Sequence, residues 1–460
     1  MTSAPMPDRP QTAAALGRLL RQGALDAREL TERVIERIEQ AAHPAVFTSV
    51  CFERARHEAA QSAARYRSGS PRGPLDGVPV AWKDLIDVAG LVTTAGSNIY
   101  RHAAPAVEDA PMVRHLAAAG MVTIGKTNLS EFAYSALGLN PHFGTPPNPR
   151  SIDVPRVPGG SSSGSAVAVA DGLVPVAIGT DTGGSVRTPA AFNGLVGFKA
   201  SEGWIDTRQV FPLSKTLDTI GVFAHDVTDC YLLDLALRGE RIVSPEPDPI
   251  DVSSLTLVVA ENAILDDLEP AVRRNFIASL ERAKDAGATV RWQHVPELTG
   301  IRELIARHGN IASIEAYRSH QALLEGPSCT QIDPTVYARI MKAKDARQDD
   351  LDALLHGRLA LRRSLWASLG NALLVMPTVP HVAPPIEPLA ANDDLFAQVN
   401  LKTICNTILG SMLNTCGLAL PNGLGEAGLP TSFLLCAPAS HESRLLRAGG
   451  ALEKVIADQT

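Results

Sequence analysis

What this chain lacks narrows it first. No run approaches 18 consecutive apolar residues, the length of a membrane-crossing helix, and Met1 to Pro10 carries neither a basic n-region nor an apolar h-region. A soluble cytoplasmic protein with no membrane partner is therefore expected. The net charge is −7 and no Lys/Arg stripe stands out, so nucleic acid is not an expected partner either. The six cysteines (Cys51, Cys230, Cys329, Cys405, Cys416 and Cys436) show no C-x-x-C spacing, lie mostly among apolar neighbours and read as buried thiols. The twelve histidines form neither H-x-H nor H-E-x-x-H, so no metal is expected. No cofactor is implied. Internal repeats and low-complexity linkers are also missing, which favours one structural unit over residues 1–460.

Organisation emerges from the periodicity. Asp26 followed by Glu29 is a capping-box-like start, and Leu30, Val34, Ile38 and Ala41 recur at helical spacing, so residues 1–70 read as N-terminal helices packing on the core. Residues 71–230 read as a strand over Val78 to Ala81, a helix over Asp109 to Ala119 stopped by Gly120, a strand over Met121 to Ile124, a helix over Gly164 to Ala170 and a strand over Val174 to Ile178. Residues 231–460 are expected to hold helices over Asp266 to Ala286, Ile301 to Leu324 and Asp349 to Leu369. A Pro-rich loop, Pro377 to Pro388, should join the end of the sheet to a last helix around Arg444 to Ile456.

Three short runs carry chemistry: Gly77-Val78-Pro79-Val80-Ala81-Trp82-Lys83-Asp84, Pro158-Gly159-Gly160-Ser161-Ser162-Ser163-Gly164-Ser165, and Gly179-Thr180-Asp181-Thr182-Gly183-Gly184-Ser185-Val186-Arg187. A lysine, a serine in a Gly/Ser turn and a serine behind a glycine pair supply a base, a proton relay and a nucleophile for acyl transfer. Lysine serves as a base only when neutral, and holding it so at pH 7 costs roughly 5 kcal/mol against its ordinary pKa near 10.4. Burial beside Val78, Val80 and Trp82 would supply that shift. The Gly183-Gly184 turn lets backbone N–H groups from Thr182 through Ser185 converge as an oxyanion hole, centred on Thr182, Gly183 and Gly184.

These runs resemble the amidase signature family, hydrolases that cleave carboxamide C–N bonds with a Ser-cisSer-Lys triad. The resemblance makes Lys83 the base, Ser161 the relay behind a cis peptide and Ser185 the nucleophile, with the serines 24 positions apart as in the family pattern. Thr93 to Ser97, Gly125 to Asn128, Ser214 to Asp218 and Met376 to Thr378 follow as further landmarks. It implies an α/β fold, a single α/β/α sandwich with a mixed central sheet, and a small-molecule amide as substrate. It leaves a homodimer open.

Competing readings stand beside it. Gly160 to Gly164 satisfies G-x-S-x-G, the nucleophile elbow of another hydrolase fold, but no oxyanion segment or Asp and His partners accompany it, and Ser162 is expected to bond within its own loop. Gly120 to Thr127 matches G-x-x-x-x-G-K-[ST], a nucleotide-binding pattern. Yet Met121-Val122-Thr123-Ile124 is a stiff apolar run that suits a strand better than a phosphate loop, which leaves Lys126 and Asn128 structural. Tyr134 falls where the family lines its acyl pocket. Arg187 is a candidate for a substrate carboxylate, with an ion pair to Asp181 the stronger reading. Within the family, a stand-alone amidase competes with the glutaminase-type subunit of a tRNA-dependent amidotransferase. That subunit's pattern is broken by Ala200-Ser201-Glu202-Gly203 and by Ser-Ser-Ser-Gly at 161–164, and the latter turn is similar to that of allophanate hydrolases and malonamidase-like members. A catalytically dead binding protein would not be expected to retain all three positions.

Overall fold

The computed structural model describes residues 11–262 and 267–457. The N-terminal run Met1 to Pro10 and the expected helix start at Asp266 lie outside the described residues. Among the described residues eleven strands form one sheet: β1 (Phe47–Val50), β2 (Pro79–Lys83), β3 (Val122–Thr127), β4 (Val176–Asp181), β5 (Val196–Lys199), β6 (Thr219–Ala224), β7 (Thr256–Ala260), β8 (Thr289–Gln293), β9 (Leu373–Pro377), β10 (Cys416–Leu424) and β11 (Pro430–Ala437). Their order is β1-β3-β2-β4-β6-β5-β10-β11-β9-β7-β8. The pairs β2/β3, β2/β4, β7/β8 and β7/β9 are parallel and the others antiparallel, so the sheet is mixed.

Side chains alternate across a strand, so a strand buried at every residue is covered on both faces. This holds for β2, β4, β5, β6, β9 and β11. Helix Ser163–Ala170 packs on β4 and β2, and helix Glu442–Ile456 packs on β10 and β11. The edge strands β1 and β8 are the ones with exposed or half-buried residues throughout.

Local signals explain many boundaries. The Asp26 carboxylate caps helix Ala27–Gln40 by accepting the Arg28 N–H at 2.8 Å, while Glu29 pairs with Arg33 instead of closing a capping box. Helix Pro111–Ala118 starts later than expected, with Pro111 in its first turn. Strand β3 runs through Lys126 and Thr127, so the phosphate-loop lookalike is extended backbone. Lys126 is fully buried and pairs with Asp84 at 2.7 Å, and Asn128 donates to the Ala45 and Gly144 carbonyls. Both are structural.

Three expectations need correction. Residues 1–70 are not all helical, since β1 pairs with β3 at the sheet edge. The single helix over Ile301 to Leu324 is two, Pro296–His308 and Ile311–Leu324, because Gly309 takes a φ of 85° and Asn310 caps the second by accepting the Ala312 N–H. The Pro-rich loop does not lead to the last helix. Helices Ile386–Ala390, Asp393–Thr403 and Thr407–Met412 and the β10/β11 hairpin come between.

Candidate active site

The three motif runs meet at one end of β2 and β4. Parallel pairing of Trp82 with Ile178 sets Lys83, at the end of β2, beside the last residues of β4. Lys83 is fully buried, and its Nζ donates to Ser161 Oγ at 2.7 Å and Thr180 Oγ1 at 2.8 Å. Burial lowers its pKa to about 7, against the opposing fields of Asp218 and Asp181. That is the desolvated amine the chemistry requires. Thr180 carries no signal in the sequence, because its part depends on strand register and not on a motif letter.

Ser161 is buried, and the Gly160–Ser161 peptide is cis. Gly160 is required here: a Cβ would meet the Gly138 N and Ser135 O atoms at 2.6 Å. Ser162 does not bond within its loop. It is buried, and its Oγ donates to the Thr180 carbonyl at 3.3 Å, tying the serine turn to β4. It is absent from the cavity wall, unlike Ser185.

Ser185 follows β4 in a turn built around a buried carboxylate. Asp181 accepts the N–H groups of Gly184 at 2.8 Å and Val186 at 3.1 Å, and binds Arg187 through Nε at 2.9 Å and Nη2 at 2.8 Å. Burial alone would raise the Asp181 pKa; the Arg187 guanidinium outweighs it and holds the carboxyl at about 2. Gly184 has a φ of 138°, and a Cβ there would clash with the Thr407 side chain. The Thr407 hydroxyl donates to the Gly183 carbonyl at 2.7 Å and braces the turn from a helix distant in sequence.

Two site assignments are corrected. The Gly184 N–H is committed to Asp181, so it is not free for an oxyanion; Thr182, Gly183 and Ser185 are the turn residues that face the cavity. Arg187 is fully buried, outside the cavity wall, and gives its remaining contacts to the Thr407 carbonyl and Ser411 Oγ. It is the ion-pair partner of Asp181 and not a substrate ligand.

The cavity in front of Ser185 measures about 320 Å³. Tyr134 lines it as expected, with its hydroxyl donating to Ser313 Oγ at 2.5 Å. Asp218, half-buried, accepts from Thr182 Oγ1 at 2.6 Å and from the Leu213 and Ser214 amides; desolvation raises its pKa to about 6 against those bonds. The sequence marks Asp218 only as a landmark. Residues Asn310, Ser313, Arg339 and Asn400 are among those that line the wall from beyond residue 230 and have no signal of their own.

The Amidase family model matches residues 29–446, which includes all three runs. The chain is 34% identical over 412 residues to the 2-amino-5-chloromuconic acid deaminase of Comamonas testosteroni, covering 88% of this chain and 87% of the relative. It is 32% identical to a glutamyl-tRNA(Gln) amidotransferase subunit from Acidothermus cellulolyticus, covering 98% of this chain and 95% of that one. A crystal structure of an amidase superposes with a TM-score of 0.85 at 32% identity, over 97% of this chain and 100% of the other. With whole-length relatives in both sequence and structure, this chain belongs to the amidase signature family, hydrolases acting on amide C–N bonds.

Proposed function

We propose that this protein hydrolyses a small or medium carboxamide through an acyl-enzyme on Ser185, with Ser161 relaying the proton to Lys83. The observation that carries this reading is the 2.7 Å contact between Lys83 Nζ and Ser161 Oγ in a buried site whose serine neighbour, Ser185, opens onto the cavity.

The chemistry follows from the hydrogen-bond inventory. A neutral amine has two N–H donors and one lone pair. Thr180 Oγ1 takes one N–H, and with the amine neutral the 2.7 Å contact to Ser161 runs the other way, the Ser161 hydroxyl donating to the Nζ lone pair and passing on its proton while it takes that of Ser185. Ser185 Oγ then bonds to the amide carbon, and the charge that develops on the carbonyl oxygen meets the N–H groups of the Thr182 to Ser185 turn, those not used by Asp181. The proton returns through Ser161 to the leaving nitrogen, the C–N bond breaks, and ammonia or an amine departs. Water repeats the sequence on the acyl-enzyme and frees the acid.

A second reading, the glutaminase-type subunit of a tRNA-dependent amidotransferase, draws support from the 32% identity to such a subunit. The departures at Ala200 to Gly203 and in the serine turn count against it. An ammonia-release screen of the purified chain across aliphatic, aromatic, peptide and ureido amides separates the two. Turnover by the chain alone supports the first reading; turnover that appears only with partner subunits supports the second. A fluorophosphonate should label Ser185, and labelling of Ser162 in its place would return the nucleophile-elbow reading.

A further inference from the structure

Asn400 is buried on helix Asp393–Thr403, yet it lines the cavity in front of Ser185. Its Oδ1 accepts the Ala136 N–H at 2.8 Å and the Ser135 hydroxyl at 3.3 Å. Only an oxygen can accept a backbone N–H, so these bonds fix which end of the carboxamide is Nδ2. Nδ2 carries two N–H donors, and among the described residues neither has a protein acceptor. Asn128, Asn140, Asn148, Asn193, Asn406 and Asn422, buried like Asn400, each donate Nδ2 to a protein oxygen. Asn414 and Asn400 do not, and Asn414 is outside the cavity wall.

A buried donor left without an acceptor is costly, so a donor held at a cavity wall calls for a partner that enters the cavity. The segment that holds the Asn400 oxygen also holds the serine turn: the Ala136 carbonyl accepts the Gly160 N–H at 2.7 Å, next to Ser161. The Nδ2 donors are thereby fixed relative to the reaction centre. Asn310 repeats the pattern in the same wall, its Oδ1 accepting the Ala312 N–H at 2.8 Å and its Nδ2 without a protein acceptor among the described residues. Around Asn400, Ala397 and Leu401 of its own helix and Ile404 at the helix end give the wall an apolar lining, which favours an uncharged group. In a primary carboxamide the leaving group is ammonia, so any oxygen besides the reacting carbonyl belongs to the acyl chain.

We propose that Asn400 is a specificity-determining residue whose Nδ2 donates to a neutral oxygen on the acyl chain of the substrate, that of a ketone, a hydroxyl or a second carboxamide. This rests on the reading of Ser185 as nucleophile for its chemistry, though not for the binding itself. A brace that merely holds Ser135 and Ala136 would use Oδ1 alone, and it predicts a different result.

The test compares oxo amides from acetoacetamide to 5-oxohexanamide with analogues that carry a methylene in place of the ketone oxygen. Wild-type kcat/KM should favour the best oxo amide over its analogue by about 30-fold, as when a site built for a hydrogen bond meets a substrate that cannot make it. Asn400→Asp keeps acceptors for Ala136 and Ser135 and, once ionised, has no donor. It should cut the preference to less than about 3-fold, mainly through the KM of the oxo amide. Asn400→Leu should remove the preference as well and also slow both substrates, since the brace is lost with the donor. A wild type without the preference, or an Asn400→Asp enzyme that keeps it, would overturn the proposal in favour of the brace. Calorimetry on Ser185→Ala supplies an arm that needs no turnover. It should bind the oxo amide, and Ser185→Ala combined with Asn400→Asp should bind it about 30-fold more weakly. Equal binding by the two, or no binding by Ser185→Ala, overturns the Asn400 contact, whereas the expected difference in binding without turnover by wild type overturns only the hydrolase reading.

Discussion

Residues 71–230 and 231–460 build the two sides of one cavity by different means. The first region brings Lys83, Ser161 and Ser185 from three short runs, each held by backbone: the end of β2, a turn where Gly160 abuts Gly138, and a turn whose amides bind Asp181. The second brings Asn310, Arg339, Asn400 and Ile408, each from a different helix or helix cap. Reaction chemistry needs backbone shapes that only glycine-rich turns supply, and such turns leave a pattern in sequence. A cavity wall needs only side chains of suitable size and charge at the right place in space, and that leaves none.

The contrast can be broken most strongly through activity. Ser185→Ala and Lys83→Arg should each lower kcat/KM by about 1,000-fold or more, since one removes the proposed nucleophile and the other replaces a titratable amine with a guanidinium that keeps its proton. Ile408→Ala, in the second region, should change KM and amide preference by about 10-fold or less, the usual value of small apolar contacts in a pocket. A reversal of these two magnitudes would put the chemistry on the wrong side of the cavity.

Stability gives a smaller effect. Arg187→Met leaves the Asp181 carboxylate buried without its cation and should destabilise the fold by about 3–5 kcal/mol in urea unfolding at pH 7. The wild-type Asp181 pKa of about 2 lies below the ordinary 3.8, so the pair contributes fully above that ordinary value and loses its contribution as pH falls through about 2. The gap between variant and wild type should therefore narrow on acidification. A neutral result would mean that the turn is held by the β4/β6 ladder alone.

Smaller still, and opposite in sign, is Lys83→Met. A folded-state pKa of about 7 against an ordinary 10.5 means that burying Lys83 costs stability at neutral pH and costs less as pH rises towards 10.5. The methionine variant should be more stable than wild type at pH 7, and its advantage should shrink by about 1.4 kcal/mol per pH unit between roughly pH 7 and 9. An advantage that is flat with pH would contradict a depressed lysine.

The same contrast explains what is legible in the sequence. The strands β2, β3 and β4, the Asp26 cap and the Asp181–Arg187 pair can be read because each rests on local pattern or on residues close in sequence. Thr180 cannot, since its bond to Lys83 depends on how β4 registers against β2. The β10/β11 hairpin is hidden by Pro421 and Gly423, which read as breakers and sit at an irregularity in the ladder. The break at Gly309-Asn310 is written in the sequence as a stop followed by a cap, and apolar periodicity on both sides obscures it. Arg339 lies among apolar residues of an ordinary helix, where nothing separates a cavity arginine from a surface one.

The central claim is that Lys83 acts as a neutral base for Ser185, and the rate of fluorophosphonate labelling of Ser185 as a function of pH tests it without any assumption about substrate. The account predicts a rate that rises with pH through an apparent pKa near the value of about 7 held by Lys83, and a rate that is negligible across the same range in Lys83→Arg. Rapid labelling in Lys83→Arg with an unchanged pH profile would contradict it, and the relay through Ser161 would fall with it.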